Sequence, residues 1–136
     1  MEADGKSVQC VIVTPERAVL DESVDFVALP MFDGELGVLP GRAPLIGRLG
    51  YGELRTRQGA DTRRFYIDGG FAQVRANVVT VLTPRALRAE EINPATATDA
   101  LEKAKGIAHT PEEQTALINA QQRARAQIAV SRHARA

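Results

Sequence analysis

Fourteen residues, Phe32-Asp33-Gly34-Glu35-Leu36-Gly37-Val38-Leu39-Pro40-Gly41-Arg42-Ala43-Pro44-Leu45, restrict the fold more than any other part of the chain. They hold three of its 11 glycines and two of its 7 prolines, with apolar residues between them. A flexible loop would be polar and poor in Leu and Val, so this stretch has to fold tightly and bury something. Asp33-Gly34 is a tight-turn signal, because glycine reaches positive φ without a Cβ clash. Leu36, Val38 and Leu39 are expected to return toward a core. Pro40 and Pro44 fix φ and keep a regular strand ladder from continuing. On composition alone the stretch reads as two hairpin turns of an ordinary β-sandwich.

The flanking sequence extends that reading. Residues 1–7 read as a disordered lead-in. Val8–Thr14 is rich in Val and Ile and reads as a strand, with Val8, Cys10 and Ile12 on one face and Gln9, Val11 and Val13 on the other. Both faces are largely apolar, so the strand is expected to be covered on both sides. Cys10 then reads as a small core residue rather than a nucleophile. A short return at Val19-Leu20 precedes a second long strand from Ser23 to Pro30. After the turn-rich stretch come Leu45–Gly50, Gly52–Arg57, Arg63–Asp68, Phe71–Arg75 and Val78–Leu82. Gln58-Gly59-Ala60-Asp61, Gly69-Gly70 and Ala76-Asn77 punctuate them. Many short strands at intervals of about ten residues signal a sandwich or barrel.

The period changes after Pro84. Asn93-Pro94 pairs an N-cap residue with a proline at the first helical position. Ala97, Ala100, Leu101, Ala104 and Ala108 then recur at helical spacing, with Gly106 as a stop signal. Thr110-Pro111-Glu112-Glu113 opens a second helix as a capping box, with Ala116, Leu117, Ala120, Ala124 and Ile128 as its inner stripe. The chain thus divides into a β domain over 1–87 and an alanine-rich, antiparallel two-helix hairpin over 88–136. Alanine stripes bury little area per residue, so the hairpin is expected to be the least stable part. A static helical cap and a segment that rearranges against a partner both remain open.

Charge narrows the function classes. Seventeen basic residues balance 17 acidic ones, against the basic excess of a dedicated nucleic-acid binder. The one asymmetry is the end of the chain, where Arg123, Arg125, Arg132, Arg135 and His133 occur without an acid. Such a tail is either a solvated helix end favoured by the helix dipole or a surface for an acidic partner. Cys10 alone cannot form an internal disulfide, which fits a reducing compartment. No apolar run approaches the roughly 20 residues of a membrane span, and Met1–Gly5 does not look like a signal peptide. The chain reads as soluble, held at a membrane only through another protein.

Enzymatic signatures are missing. There is no phosphate-cradling P-loop and no Gly-x-Ser-x-Gly elbow. Cys10, His109 and His133 are too scattered for a zinc site. Asp33 and Glu35 flank a turn glycine and read as solvated turn residues rather than a catalytic pair.

Three motifs, in order, carry a resemblance. Gly34-Glu35-Leu36-Gly37-Val38-Leu39-Pro40-Gly41-Arg42-Ala43-Pro44-Leu45, then Gly69-Gly70-Phe71-Ala72-Gln73-Val74, then Asn77-Val78-Val79-Thr80-Val81-Leu82, followed by an alanine-rich hairpin, resemble the epsilon-subunit family of bacterial F-type rotary ATP synthases, called delta in mitochondria. The resemblance spans about residues 8–130. It implies a ten-stranded N-terminal β-sandwich, a C-terminal two-helix domain and a non-catalytic place in the central stalk without a cofactor. It implies binding to the gamma subunit through Arg42, Ala43, Pro44 and Leu45, and to the c-ring through the turn bearing Gly34 and Glu35. It implies that the alpha and beta subunits are met transiently through Arg123, Arg125 and Arg132. The implied work is coupling ion-driven rotation to ATP synthesis and inhibiting ATP hydrolysis through the hairpin, with peripheral residence at the cytoplasmic face of the bacterial inner membrane and no direct membrane insertion.

Two departures stand out. Many members have His where this chain has Arg42. Members that bind ATP carry Ile or Leu, Asp, two variable residues, Arg and Ala at the start of the first helix; here the run is Ile92-Asn93-Pro94-Ala95-Thr96-Ala97. Asn93 replaces the Asp and Thr96 the Arg, which removes the phosphate's cation, so weak or no ATP binding is expected. The alternatives are a free-standing β-sandwich binding module with a helical cap, indifferent to gamma, and a hydrolase, which the missing nucleophile–base set disfavours.

Overall fold

The computed structural model describes residues 7–134. The lead-in expected over residues 1–7 lies, Ser7 apart, outside them, as does Arg135. Eight strands come first: β1 (Val8–Val13), β2 (Ala18–Val24), β3 (Phe26–Met31), β4 (Gly34–Val38), β5 (Leu45–Gln58), β6 (Asp61–Arg75), β7 (Val78–Leu82) and β8 (Ala86–Arg88). A single 3-10 turn (Ala89–Glu91) leads to α1 (Pro94–Lys103) and α2 (Pro111–Ala134). The ladder order is β2-β1-β7-β6-β5-β3-β4, with β8 added to β6. All pairs are antiparallel except β1–β7, which is parallel.

The turn-rich stretch forms two turns with β4 between them. Phe32-Asp33 closes the β3–β4 hairpin. The second turn runs from Leu39 to Arg42, whose N–H donates to the Leu39 carbonyl at 3.2 Å. Pro40 and Gly41 occupy its centre and Gly41 has φ 86, the left-handed position a type II turn requires. The Gly41 N–H donates to Asn77 Oδ1 at 2.8 Å, which ties this turn to the β6–β7 turn. Val38 is buried and Leu36 packs against the core. Leu39, expected to point inward, is 57 % exposed, because the turn begins at this residue and the strand alternation ends.

The strand count is eight among the described residues rather than ten. The difference is the β5–β6 hairpin, where two continuous strands replace four shorter ones. Gly69 and Gly70, at φ 78 and 101, bend β6 without ending it. The pairing is interrupted for one position there, between Leu49↔Gly70 and Tyr51↔Asp68, and continues in the same register. One half of β6 pairs with β7 and the other with β8, so this hairpin spans the domain. Two further expectations shift. Ser23–Pro30 is not one strand: the chain breaks at Asp25, whose carboxylate accepts the Gly59 N–H at 2.7 Å while its own N–H donates to the Arg57 carbonyl. β1 buries one face only, through Val8, Cys10 and Ile12; Gln9, Val11 and Val13 are half-buried.

Aliphatic side chains fill the interior. Leu29, Leu54, Phe65 and Ile67 join the β1 residues, Val27, Val38, Val74, Val79 and Val81 in one buried cluster. Burial pushes the Cys10 thiol up to about 12, with Glu22 and Asp21 adding to the effect, as expected for a core residue rather than a nucleophile.

The helix caps form as the sequence indicates. Asn93 Oδ1 accepts the Ala95 and Thr96 N–H groups at 3.0 and 3.3 Å. Thr110 Oγ1 accepts the Glu113 N–H at 3.1 Å, and the Glu113 carboxylate reaches back to the His109 N–H. In α1, Ala97 is buried, as is Ala104 just past its end, while Ala100 is exposed. In α2 the expected inner stripe is only partly inward: Ala124 is buried, Leu117, Ala120 and Ile128 are half-buried, and Ala116 is exposed. The rest of its buried face is Val130 and Ser131. The helix meets two neighbours, α1 and the sandwich, and one stripe cannot serve both.

Candidate interaction surfaces

A period of two along β5, β6 and β7 sends alternate residues outward. The ladder registers align Arg48, Phe71, Leu82 and Val13 in one row across β5, β6, β7 and β1, and Ile46, Gln73, Thr80 and Val11 in the next. Ile46, Phe71 and Leu82 are 76 %, 58 % and 55 % exposed. Phe32 lies at the margin, with the Arg48 guanidinium 4.6 Å from its ring centroid. Phe71 and Leu82 in one row and Ile46 diagonally beside them in the next form an exposed apolar patch, the kind of feature that marks an interaction surface. Arg42, Ala43 and Pro44 are exposed and Leu45 is half-buried against the core. They run directly into Ile46, so the segment expected to meet gamma borders this patch.

The c-ring candidate is separate. Gly34 has φ 141 and open space around it. Glu35 is exposed and held by Arg55, with Nη2···Oε1 at 3.2 Å and Nη1···Oε2 at 3.3 Å. This fork holds the Arg55 guanidinium's pKa further up, and Arg55 also reaches Glu53 at 3.5 Å. Glu35 is therefore a positioned carboxylate rather than a free turn residue.

The three α2 arginines do not act together. Arg123 faces the sandwich. Its Nε lies 3.1 Å from Asp68 Oδ1, its Nη2 is 3.2 Å from Tyr51 Oη, and its guanidinium sits 4.9 Å from the Tyr51 ring centroid. Tyr66 Oη donates to the same Asp68 carboxylate. Burial, and then that carboxylate, push the Tyr66 phenol up. Nearer the helix end, His133 Nδ1 contacts Glu53 Oε1. Arg125 and Arg132 are exposed and make no ion pair among the described residues. Asn93 serves as the α1 cap, and Thr96 contributes a backbone N–H to it and no cation.

Sequence reasoning missed Ile46, Phe71 and Leu82. One signal was present: Ala72 and Val74 point inward, so Phe71 shares the outward face with Gln73 and Arg75, where an aromatic residue is out of place. Asp68, Tyr51, Glu53 and His133 had no local signal, because their partners lie 55 to 80 residues away. Among the described residues there is no group of three potential metal ligands, and no helix is long and apolar enough to cross a membrane.

Residues 7–89 match the family described as ATP synthase, Delta/Epsilon chain, beta-sandwich domain. The chain belongs to the ATP synthase delta/epsilon family. Over most of its length it is similar to the ATP synthase epsilon chain of Rhodopirellula baltica, with 52 % identity over 127 residues that cover 93 % of this chain and 99 % of the relative. The epsilon chain of Nitratidesulfovibrio vulgaris strain DP4 is 42 % identical over 128 residues, covering 93 % and 90 %. The structure resembles a chain of the Euglena gracilis mitochondrial ATP synthase, OSCP/F1/c-ring assembly, with TM-score 0.83 and 26 % identity over 91 % of this chain and 81 % of that one. A chain of the Tetrahymena thermophila mitochondrial central stalk/c-ring shares the fold, with TM-score 0.73 and 15 % identity over 96 % and 99 %. Within this family the chain is a non-catalytic stalk subunit of an ATP synthase, built as a β-sandwich with two C-terminal helices.

Proposed function

We propose that this subunit joins the gamma subunit through the outer apolar patch, couples ion-driven rotation to ATP synthesis as part of the central stalk, and restrains ATP hydrolysis through its helices. The observation that carries the reading is the patch of Phe71, Leu82 and Ile46, each more than half exposed, with Ile46 continuous with Arg42–Leu45. A free-standing module would leave that patch in water. The Glu35 turn is the proposed c-ring contact, with Arg55 fixing its carboxylate. Arg125 and Arg132 are available to acidic segments of the alpha and beta subunits with α2 docked, whereas Arg123 reaches them only on leaving Asp68. The subunit works peripherally at the cytoplasmic face of the bacterial inner membrane, without inserting, and binds ATP weakly or not at all.

The test is ATP hydrolysis by the matched catalytic head with full-length subunit and with a version ending after Ile92. Truncation there keeps β8 whole, and keeps Ala89 and Ile92 against Tyr66; an end at Leu87 would cut the strand. Both versions are expected to co-purify with gamma, and the shorter to give faster hydrolysis. Equal rates would remove the inhibitory part, and loss of gamma binding by both would remove the docking part.

A further inference from the structure

Residues 39–44 leave the ladder between Val38, which pairs with Val27, and Leu45, which pairs with Val74. One backbone bond closes their turn internally, from the Arg42 N–H to the Leu39 carbonyl. Among the described residues a single hydrogen bond ties them to another segment, the Gly41 N–H donating to Asn77 Oδ1 at 2.8 Å.

Asn77 is suited to hold that bond. With Ala76 it makes the two-residue β6–β7 turn, at φ 51 and 62. Two left-handed residues match the twist of the antiparallel strands they join, and asparagine enters that conformation more readily than most residues with a side chain. The backbone carbonyl of Asn77 accepts the Gln9 N–H at 2.8 Å. One residue thus connects β1, the β6–β7 reversal and the Leu39–Arg42 turn.

The bond joins two parts of one surface. The period of two puts Val78 on the same outward face of β7 as Leu82, with Val78 paired to Arg75 and Leu82 to Phe71. Val78 is 36 % exposed and Leu39 57 %. The outer face therefore runs from Phe71 and Leu82 to Val78, and past Asn77 onto the turn that carries Leu39 and Arg42.

We infer that Asn77 is a positioning residue for attachment to the gamma subunit: its amide oxygen clips the Leu39–Arg42 turn to the β6–β7 turn, so that Leu39, Arg42 and the apolar patch meet the partner as one preordered surface. That role rests on the proposed docking to gamma; the clip does not. A loop ordered before contact spares the cost of ordering it on binding, and the apparent affinity scales with the fraction of molecules in which the turn is in place.

Two variants separate the side chain from the backbone. Asn77→Gly keeps the left-handed conformation and the carbonyl bound to Gln9, and removes the acceptor. Asn77→Asp keeps the acceptor. Amide exchange of the isolated full chain, followed by NMR, reads the clip: the Gly41 N–H is expected to exchange about fivefold faster in Asn77→Gly, the scale of one hydrogen bond, and as in the parent in Asn77→Asp. Unchanged Gly41 exchange in Asn77→Gly overturns the clip. Titration with gamma reads the consequence. Asn77→Gly is expected to raise Kd about fivefold and Asn77→Asp less than twofold, with urea midpoints close to the parent's. Because the clip acts through the turn, Asn77→Gly should change Kd less than twofold in a chain already carrying Leu39→Ala and Arg42→Ala, whereas its effect should add to that of Phe71→Ala. An Asn77→Gly chain whose Gly41 exchange has quickened, but which binds gamma within twofold of the parent while Phe71→Ala binds more weakly, overturns the positioning role and leaves the docking to gamma standing. A full fivefold effect of Asn77→Gly in the Leu39→Ala, Arg42→Ala chain overturns it as well. A parent chain that does not bind gamma overturns the docking and the positioning role together, and the clip then stands or falls on the exchange alone.

Discussion

Replacing Phe71 with alanine isolates the apolar patch from everything else in the molecule. The side chain is 58 % exposed and its neighbours in register are Arg48 and Leu82. A phenylalanine offers about 150–250 Å² for burial, so about 100 Å² is left for a partner to cover. At about 25 cal/mol per Å² that is about 2.5 kcal/mol. Alanine retains a small part, so the expected loss in binding to gamma is about 2 kcal/mol, or about 30-fold in Kd. Because the residue is not in the core, folding stability should change by no more than about 0.5 kcal/mol. Isothermal titration of the gamma subunit, with urea unfolding alongside, reads both quantities, and Ile46→Ala should behave the same way. Thr62→Ala, exposed where β6 leaves the β5–β6 turn, is the control and should bind as the parent does. If Phe71→Ala and Ile46→Ala both bind gamma within threefold of the parent, the patch is not the docking surface. If Phe71→Ala unfolds more easily by several kcal/mol, the side chain is structural and the exposure argument is wrong.

Gly70→Ala and Gly41→Ala separate backbone strain from lack of room: both sites have positive φ, but a Cβ at Gly70 would meet the Leu82 carbonyl oxygen at 2.0 Å and one at Gly41 meets nothing. The first should cost about 3 kcal/mol or more and the second about 1 kcal/mol in urea unfolding. Alkaline stability should follow Cys10: below its ordinary value of 9.0 both folded and unfolded chains hold the proton, and between about 9 and 12 only the unfolded chain loses it. Stability therefore falls across that window by up to about 1.4 kcal/mol per pH unit, and Cys10→Ala should flatten the slope while Tyr66, also pushed up, leaves a remainder. Asn93→Ala should cost about 1 kcal/mol of α1 stability, visible as faster amide exchange over residues 94–103, whereas Asn93→Asp keeps the cap. Asn93→Asp combined with Thr96→Arg restores the ATP-binding pattern of the family and should gain ATP affinity that the parent lacks, measured by equilibrium dialysis.

The parts of the fold legible in the sequence are those fixed by short-range sterics. Pro40-Gly41 dictates its own turn, and Ala76-Asn77 marks the β6–β7 reversal, where both residues take positive φ. Asn93-Pro94 and Thr110 to Glu113 cap their helices through bonds spanning two to four residues. The errors arise where a long-range partner decides. Gly69-Gly70 looks like a strand end, yet both halves of β6 find partners and the ladder continues through the bend. Asp25 looks like the polar member of an alternating strand, yet its carboxylate serves the Gly59 turn and the chain changes partners there. The candidate sites divide the same way. Glu35 and Arg42 follow from a contiguous motif, while the Arg123–Asp68 contact needs β5 and β6 already in place.

The two surfaces of the sandwich differ in kind, and the difference bears on what the subunit can do. The outer patch offers aliphatic and aromatic area, each large side chain worth about 1.5–3 kcal/mol when covered, with Arg48 beside Phe71 as its charged neighbour. Such a contact is strong and weakly sensitive to salt. The α2 contact consists mainly of half-exposed ion pairs, each worth about 0–1 kcal/mol, with small apolar support from Val130 and Ala126. The Arg123–Asp68 and His133–Glu53 pairs also weaken as salt rises. The two surfaces lie on the two halves of β6, Phe71 on the half that pairs with β7 and Asp68 beyond Gly69-Gly70, next to the half that pairs with β8. Phe65 and Ile67 before Gly69-Gly70 and Ala72 and Val74 after it all reach the core, so the inward parity changes at that bend and Asp68 and Phe71 both face away from the core.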